Sequence, residues 1–397
     1  VSLFRFETQV ISVGTNYLCP RCGNADPRYV GYRNGEPYCR KCIGFSGASV
    51  EAKHKNAKGV YLKLDYELSE EQKNLSAQIV KNFVRGVDTL VYAVCGSGKT
   101  EISYAVIRYA MSKGMNVAFA LPRRDVVIEL HERLQAAFPR NSIVAVYGDH
   151  HERLEGDCVI LTTHQLFRYP HYFDLIVMDE IDAFPYKGND VLDGIFKTAL
   201  RGHCLLMSAT PSKEVVKTFS TGAHQMLTLH TRFHKHEIPV PKTIIGKGVL
   251  KFIFLAKRLR NYQKERKQAF IFVPSVSLSE TLFSRLSLAC KGGNYVSSKR
   301  VGREQIIRDF KAGKYSYLVT TAVLERGITV ANLQVVVYQS DDRIYDAATL
   351  IQIAGRAGRK ASAPDGDVLF LADHESEAMK HAISEIKYCN TFLQNML

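Results

Sequence analysis

The chain has 397 residues, enough for two or three domains that each bury a core of their own. Hydrophobic residues make up 46% and charged residues 23%, a balance that excludes a disordered chain, a collagen-like fibre and a coiled coil. Lys and Arg outnumber Asp and Glu by 53 to 39, a net charge of +14, so a polyanion is the first partner to consider, either nucleic acid or an anionic membrane surface. No apolar run approaches the roughly 18 to 20 residues that span a bilayer, and no basic segment leads into an apolar stretch at the N-terminus. A cytoplasmic protein is expected.

Residues 1–60 are turn-rich and basic, with nine Lys or Arg against four Asp or Glu. Four of the nine cysteines cluster here, as Cys19-Pro-Arg-Cys22 and Cys39-Arg-Lys-Cys42 with sixteen residues between the pairs. Two tight knuckles each offering two thiolates make a closed tetrahedral site for Zn²⁺, and a site with no open position is structural. Short pieces at 29–33 and 36–38 fit a ribbon hairpin. The neighbouring Arg21, Arg28, Arg33, Arg40 and Lys41 suit either nucleic acid or an ordinary solvated face. The other five cysteines are scattered singly, which argues against a secreted disulfide framework.

From 61 to 230, apolar runs at 89–94, 117–121, 143–146, 159–161, 175–178 and 204–207 alternate with amphipathic stretches. That alternation predicts a parallel sheet covered by helices. The first run leads into Gly96-Ser97-Gly98-Lys99-Thr100 and then a helical stretch. Strand, glycine loop and helix in that order bring backbone N–H groups and a helix N-terminus around phosphate oxygens, with Lys99 reaching the β/γ-phosphates and Thr100 binding Mg²⁺. Ala93 stands where this loop usually has its first glycine. The run at 175–178 ends in Asp179-Glu180-Ile181-Asp182. Asp179 can hold Mg²⁺ through water and Glu180 can orient or deprotonate the attacking water, since phosphoryl transfer needs positioning and charge neutralisation. NTP hydrolysis is the reaction expected.

The stretch 231–267 carries eleven Lys or Arg against two Asp or Glu and reads as a linker with a basic entry to the next unit. A second alternating set follows at 269–273, 315–320, 335–338 and 368–371. The domains expected are therefore 1–60, 61–230 and 231–397. Arg356 and Arg359, three apart on a predicted helix, share one face and could act as arginine fingers on phosphates held by the unit before.

From about residue 61 onward the chain resembles superfamily 2 helicases, and it does so through an ordered set of motifs. Gln72 in Leu68-Ser-Glu-Glu-Gln72 looks like the adenine-contacting glutamine. Leu121-Pro122-Arg123-Arg124 resembles motif Ia, Thr162-Thr163-His164-Gln165-Leu166 motif Ib, and Ser208-Ala209-Thr210 motif III. Thr320-Thr321 through Glu325-Arg326-Gly327 resembles motif V, and Gln352 to Arg359 motif VI. The resemblance implies two tandem RecA-like α/β domains behind the zinc module, clamping ATP between them. Gly96, Ser97, Gly98, Lys99, Thr100 and Asp179 would lie on one side, with Arg326, Gln352, Arg356 and Arg359 on the other. It implies strand contacts near Arg123, Thr163, Thr320 and Thr321.

Within the superfamily, the N-terminal cysteines joined to Asp179 through Pro185 and to Leu324-Glu-Arg-Gly-Ile-Thr329 look most like the late-competence DNA-uptake helicases. That likeness implies an ATPase stimulated by single-stranded DNA, at the inner face of the cell membrane. It would work with other late competence and recombination proteins beside the membrane DNA channel. A primosome-like helicase of replication restart, an RNA remodelling enzyme and an ATP-gated zinc-ribbon clamp are the alternatives.

Overall fold

The computed structural model describes residues 17–394, apart from 54, 222–223 and 322–329. Near its start, β1 (Val30–Arg33) and β2 (Glu36–Cys39) pair antiparallel across an Asn34-Gly35 turn, with Val30 opposite Cys39. Both turn residues have positive φ, which this two-residue hairpin requires.

The first large sheet has seven strands: β3 (Thr89–Ala93), β4 (Val117–Leu121), β5 (Ile143–Val146), β6 (Cys158–Thr162), β7 (Phe173–Asp179), β8 (Leu200–Ser208) and β9 (Gln225–Leu229). They run in the order β5-β6-β4-β7-β8-β3-β9, and every pairing is parallel. The second sheet has six: β10 (Lys242–Ile245), β11 (Gln268–Phe272), β12 (Gly293–Val296), β13 (Tyr317–Thr320), β14 (Leu333–Tyr338) and β15 (Val368–Ala372). Their order is β10-β15-β14-β11-β13-β12, again all parallel. Parallel strands need crossovers, and helices on both faces supply them, so the central strands are mostly apolar. Val91, Phe119 and Val177 meet Ile79, Ile107 and Leu134 on one face of the first sheet. Their neighbours Leu90, Ala118 and Ile176 meet Leu192 and Ile195 on the other. Two tandem parallel-sheet α/β domains behind a four-cysteine module are thus the architecture.

Three strands, β9, β10 and β12, have no counterpart among the apolar runs of the sequence, and each forms an outer edge of its sheet. Edge strands shed one neighbour and keep only part of their side chains covered. Their sequences Gln-Met-Leu-Thr-Leu, Lys-Thr-Ile-Ile and Gly-Asn-Tyr-Val are accordingly mixed.

The two domains are packed together. Tyr92 on β3 donates to Glu385 of the C-terminal helix Glu377–Gln394 at 2.5 Å, and His230 stacks on Phe392 with ring centroids 4.1 Å apart. Lys187 pairs with Asp346 at 2.9 Å across the same division. No helix among the described residues is long and apolar enough to cross a membrane.

The cysteine module sits on the first domain. Cys19, Cys22, Cys39 and Cys42 are buried in one cluster with Leu192 and Ile195 of the helix Asp190–Ala199. Gly194 of that helix lies so near the module that a Cβ there would be 2.0 Å from the Cys22 carbonyl oxygen. Val50 N–H donates to the Arg168 carbonyl at 2.7 Å, closing the other side of the junction. Gly194→Ala is expected to push the module off its seat and lower stability by about 1 to 3 kcal/mol. Thermal unfolding together with limited proteolysis near residue 50 checks it; an unchanged midpoint and cleavage pattern would contradict the close approach.

Candidate active site

The sequence folds its phosphate loop at the C-terminal end of β3. The loop 96–98 turns through two glycines with φ of +82° and +83°, and the helix Lys99–Ile102 begins immediately after. Ser97 is buried, while Lys99 and Thr100 are half-buried at the mouth of a cleft of about 1100 Å³ between the two domains. The Lys99 ammonium donates to the Ala93 carbonyl at 3.0 Å. Phosphate oxygens would offer it a stronger, charged acceptor.

Asp179 ends β7 next to this loop. Desolvation pushes its carboxyl up to about 6, with Glu180 adding to the rise and the Lys99 charge opposing it. Such a carboxylate gains from a cation, which is what a Mg²⁺ ligand needs. Glu180 adopts φ +60°, a left-handed conformation rare outside glycine, and its N–H donates to Asp179 Oδ1 at 2.8 Å. Strained backbone at a charged strand end is common where side chains must be aimed.

Asp182 links the two domains. Its Oδ1 accepts from Ser208 Oγ at 2.9 Å, and its Oδ2 accepts from Thr210 Oγ1 at 2.6 Å and from Gln352 Nε2 at 2.5 Å. Gln352 belongs to the helix Ala347–Ala354 of the second domain, whose end delivers Arg356 and Arg359. Gly355 abuts the phosphate loop closely enough that a Cβ on it would lie 2.7 Å from that of Cys95. The Arg359 Cγ lies 3.8 Å from where a Cβ on Gly96 would be, and both arginines line the cleft.

Gln72 lies in the cleft, held by two side-chain hydrogen bonds. Its Oε1 accepts from Ser69 N–H at 2.9 Å, closing the capping box of the helix Glu70–Val84, and its Nε2 donates to the Ser97 carbonyl at 2.8 Å. It braces the phosphate loop and also lines the cleft. Arg326 lies outside the described residues. Of the strand-contact residues, Arg123 and Thr321 are half-buried, while Thr163 and Thr320 are buried, with Thr320 Oγ1 donating to the Thr321 carbonyl at 3.0 Å. A strand would meet the backbone around those two threonines more readily than their hydroxyls.

Arg232, inside the segment read as a linker, is 2% exposed and donates to the carbonyls of Gly355, Ala357 and Gly358. Burial pulls its guanidinium down to about 10. It pins the motif VI turn beside the phosphate loop, and nothing in its local sequence marks it.

The four cysteine sulfurs fit Zn²⁺. Sγ of Cys19 and Cys42 are 3.5 Å apart, those of Cys22 and Cys39 are 3.7 Å apart, and all four lie within 4.8 Å of one another. Tetrahedral Zn–S bonds of about 2.3 Å put sulfurs about 3.8 Å apart.

The DEAD/DEAH box helicase family matches residues 73–219, and the helicase conserved C-terminal domain matches 250–361. The chain is 33% identical to competence protein ComFA of Bacillus subtilis, over 94% of this chain and 86% of that protein. It is 31% identical to ComFA of Streptococcus pneumoniae, over 94% and 90% respectively. Among solved structures, S. cerevisiae Dbp5 bound to RNA and ADP–BeF3 superposes with a TM-score of 0.61 at 18% identity, covering 81% of this chain and 92% of that one.

Two outcomes follow from the site. Asp182→Ala should cut kcat for ATP roughly tenfold or more while KM moves less than about threefold, because the contacts it removes are to Ser208, Thr210 and, across the domains, Gln352, and not to the nucleotide; steady-state kinetics reading a KM effect alone would contradict this. Cys39→Ala should lose bound zinc, measured by metal analysis of the purified protein, and leave the unfolding of the two motor domains cooperative. Undiminished zinc content would rule out the four-sulfur site.

Proposed function

The chain belongs to the ComFA family of superfamily 2 helicases, and we propose that it is an ATP-driven translocase on single-stranded DNA that serves DNA import in natural transformation. The observation that carries the reading is the cleft in which Lys99, Thr100, Asp179 and Glu180 of the first domain face Arg356 and Arg359 of the second. Residues from two bodies around one phosphate site make hydrolysis sensitive to how far the bodies are closed.

In this mechanism the amides of 96–100 hold the phosphates and Lys99 leaves the Ala93 carbonyl for the β/γ oxygens. Mg²⁺, held by Thr100 and Asp179, would neutralise phosphate charge during transfer. Glu180 orients the attacking water. Arg356 and Arg359 stabilise the developing charge, a contribution of about 10³ to 10⁵ in rate where arginine fingers have been characterised. Asp182 transmits the state of the site through Gln352 to the second domain and through Ser208 and Thr210 to the first. Backbone contacts near Arg123 on one domain and Thr321 on the other then grip the strand in turn. Such contacts read phosphates, so little sequence preference is expected. Zn²⁺, which Cys19, Cys22, Cys39 and Cys42 would hold, would have a structural part, stabilising the N-terminal module that packs on the first domain.

The name of the competence relatives supports the biological setting. Within this proposal single-stranded DNA is the substrate, and other late competence and recombination proteins and the membrane DNA channel are the partners.

Steady-state ATP hydrolysis measured with no nucleic acid, single-stranded DNA, duplex DNA and single-stranded RNA tests the proposal. Single-stranded DNA should stimulate most, and Lys99→Ala should reduce turnover on the order of 10²-fold or more with the fold intact. RNA preference would favour a remodelling enzyme, and ATP binding without turnover a clamp.

A further inference from the structure

Between the cysteine module and the first domain lies a second cleft, of about 550 Å³, that the nucleotide site does not use. Its floor is the helical turn Thr163–Arg168, one wall is the loop 44–48 that follows the second knuckle, and the other is the turn at 148–151. Arg168 is 5% exposed. Its guanidinium donates to Gln165 Oε1 at 2.6 Å and to the Ala48 carbonyl at 3.2 Å, and lies 4.8 Å from the Phe167 ring centroid. Among the described residues no carboxylate pairs with it. A buried cation with only neutral acceptors is costly, and an anion in the cleft would relieve that cost.

The loop is built to the same end. Gly47 adopts φ +143°, and a Cβ there would lie 2.4 Å from Arg168 Nη1, so the backbone approaches the guanidinium only as glycine. The amides of Ser46, Gly47 and Ala48 donate to no partner among the described residues. Phe45 and His164 stack at 6.0 Å with 22° between their planes. Burial holds His164 below the usual histidine range, so it offers a ring face and not a charge. Asp149, exposed on the far wall, is the carboxylate that faces the cleft.

The far wall also joins the cleft to motif Ia. Tyr147 stacks on His150 at 4.8 Å and 21°, and the Arg124 guanidinium lies 5.1 Å from the Tyr147 ring centroid. Aromatic faces interleaved with cations are what single-stranded nucleic acid stacks on. We propose that this cleft receives a backbone phosphodiester of the single strand, with Arg168 and the amides of 46–48 as donors. The strand's path then runs from Arg123 past the 147–150 stack onto the zinc module. This rests on the single-strand reading above and extends it: the metal, by fixing the knuckle before loop 44–48, shapes part of the nucleic-acid track.

The test is binding of oligo-dT to the zinc-loaded full chain, followed across a range of salt concentrations, for wild type, Arg168→Gln and Ser46→Glu. Ser46 is exposed, so its substitution leaves zinc content and DNA-free ATP turnover unchanged and carries the test alone if Arg168→Gln sheds the module. Losing one phosphate contact should lower the slope of log affinity against log salt by about 0.7 in Arg168→Gln. Ser46→Glu should weaken binding about tenfold at moderate salt, as one unfavourable charge on a phosphate would. Wild-type affinity and slope in both variants would overturn the proposal and leave the single-strand reading standing. A weakened Arg168→Gln with an unchanged slope, beside an unaffected Ser46→Glu, would overturn it in favour of a purely structural arginine. Failure of the wild type itself to bind oligo-dT would remove both.

Discussion

One carboxylate ties the strand that ends at the nucleotide to the helix that ends at the arginines. Asp182 accepts from Ser208 and Thr210 within its own domain and from Gln352 in the other. A half-buried carboxylate keeps such acceptor bonds only while donors surround it, because losing a donor leaves charge desolvated and uncompensated. The positions of β8 and the motif VI helix are therefore coupled through Asp182 to the strand end that carries Asp179 and Glu180. The fold makes the coupling possible. In an all-parallel sheet every strand ends on the same side, so the loops after β3, β7 and β8 collect at one edge, which is where such sheets bind ligands.

The same edge is reinforced from the connecting segment. Arg232 fills the space between the phosphate loop and motif VI, donating to carbonyls of Gly355, Ala357 and Gly358. The C-terminal helix returns to the first domain through Tyr92 and Glu385. Opening of the cleft must strain or break these contacts together. The four-cysteine module packs on the first domain beside the turn Thr163–Arg168, so the two form one continuous surface there.

Much of this was legible in the sequence, for a physical reason. Central strands of a parallel sheet are buried on both faces, and their apolar runs, such as those within Val117–Leu121 and Phe173–Asp179, coincide with the strands observed. Edge strands β9, β10 and β12 carry polar residues because solvent reaches them, and they left no such run. The first half of β8, Leu200 to His203, was missed likewise, since Arg201 and His203 are tolerated on a partly exposed stretch. Phosphate-loop and strand-end carboxylates were readable because their chemistry fixes residue types at fixed spacing. Arg232, Arg168 and the seat of the cysteine module on Gly194 obey no spacing. They depend on which carbonyls, rings and helices the fold brings near, and only coordinates reveal that. Gln72 shows the converse: the residue type was recognised, while its capping-box bond to Ser69 emerged from the local helix start.

If nucleotide state and strand grip are linked through the interdomain cleft, thermodynamic linkage makes that directly measurable. The affinity of the protein for oligo-dT should be compared in the presence of a non-hydrolysable ATP analogue and of ADP, at one salt concentration. Affinities that differ about tenfold or more are expected, corresponding to a coupling free energy of about 1.4 kcal/mol or more. Equal affinities in the two nucleotide states would rule the linkage out.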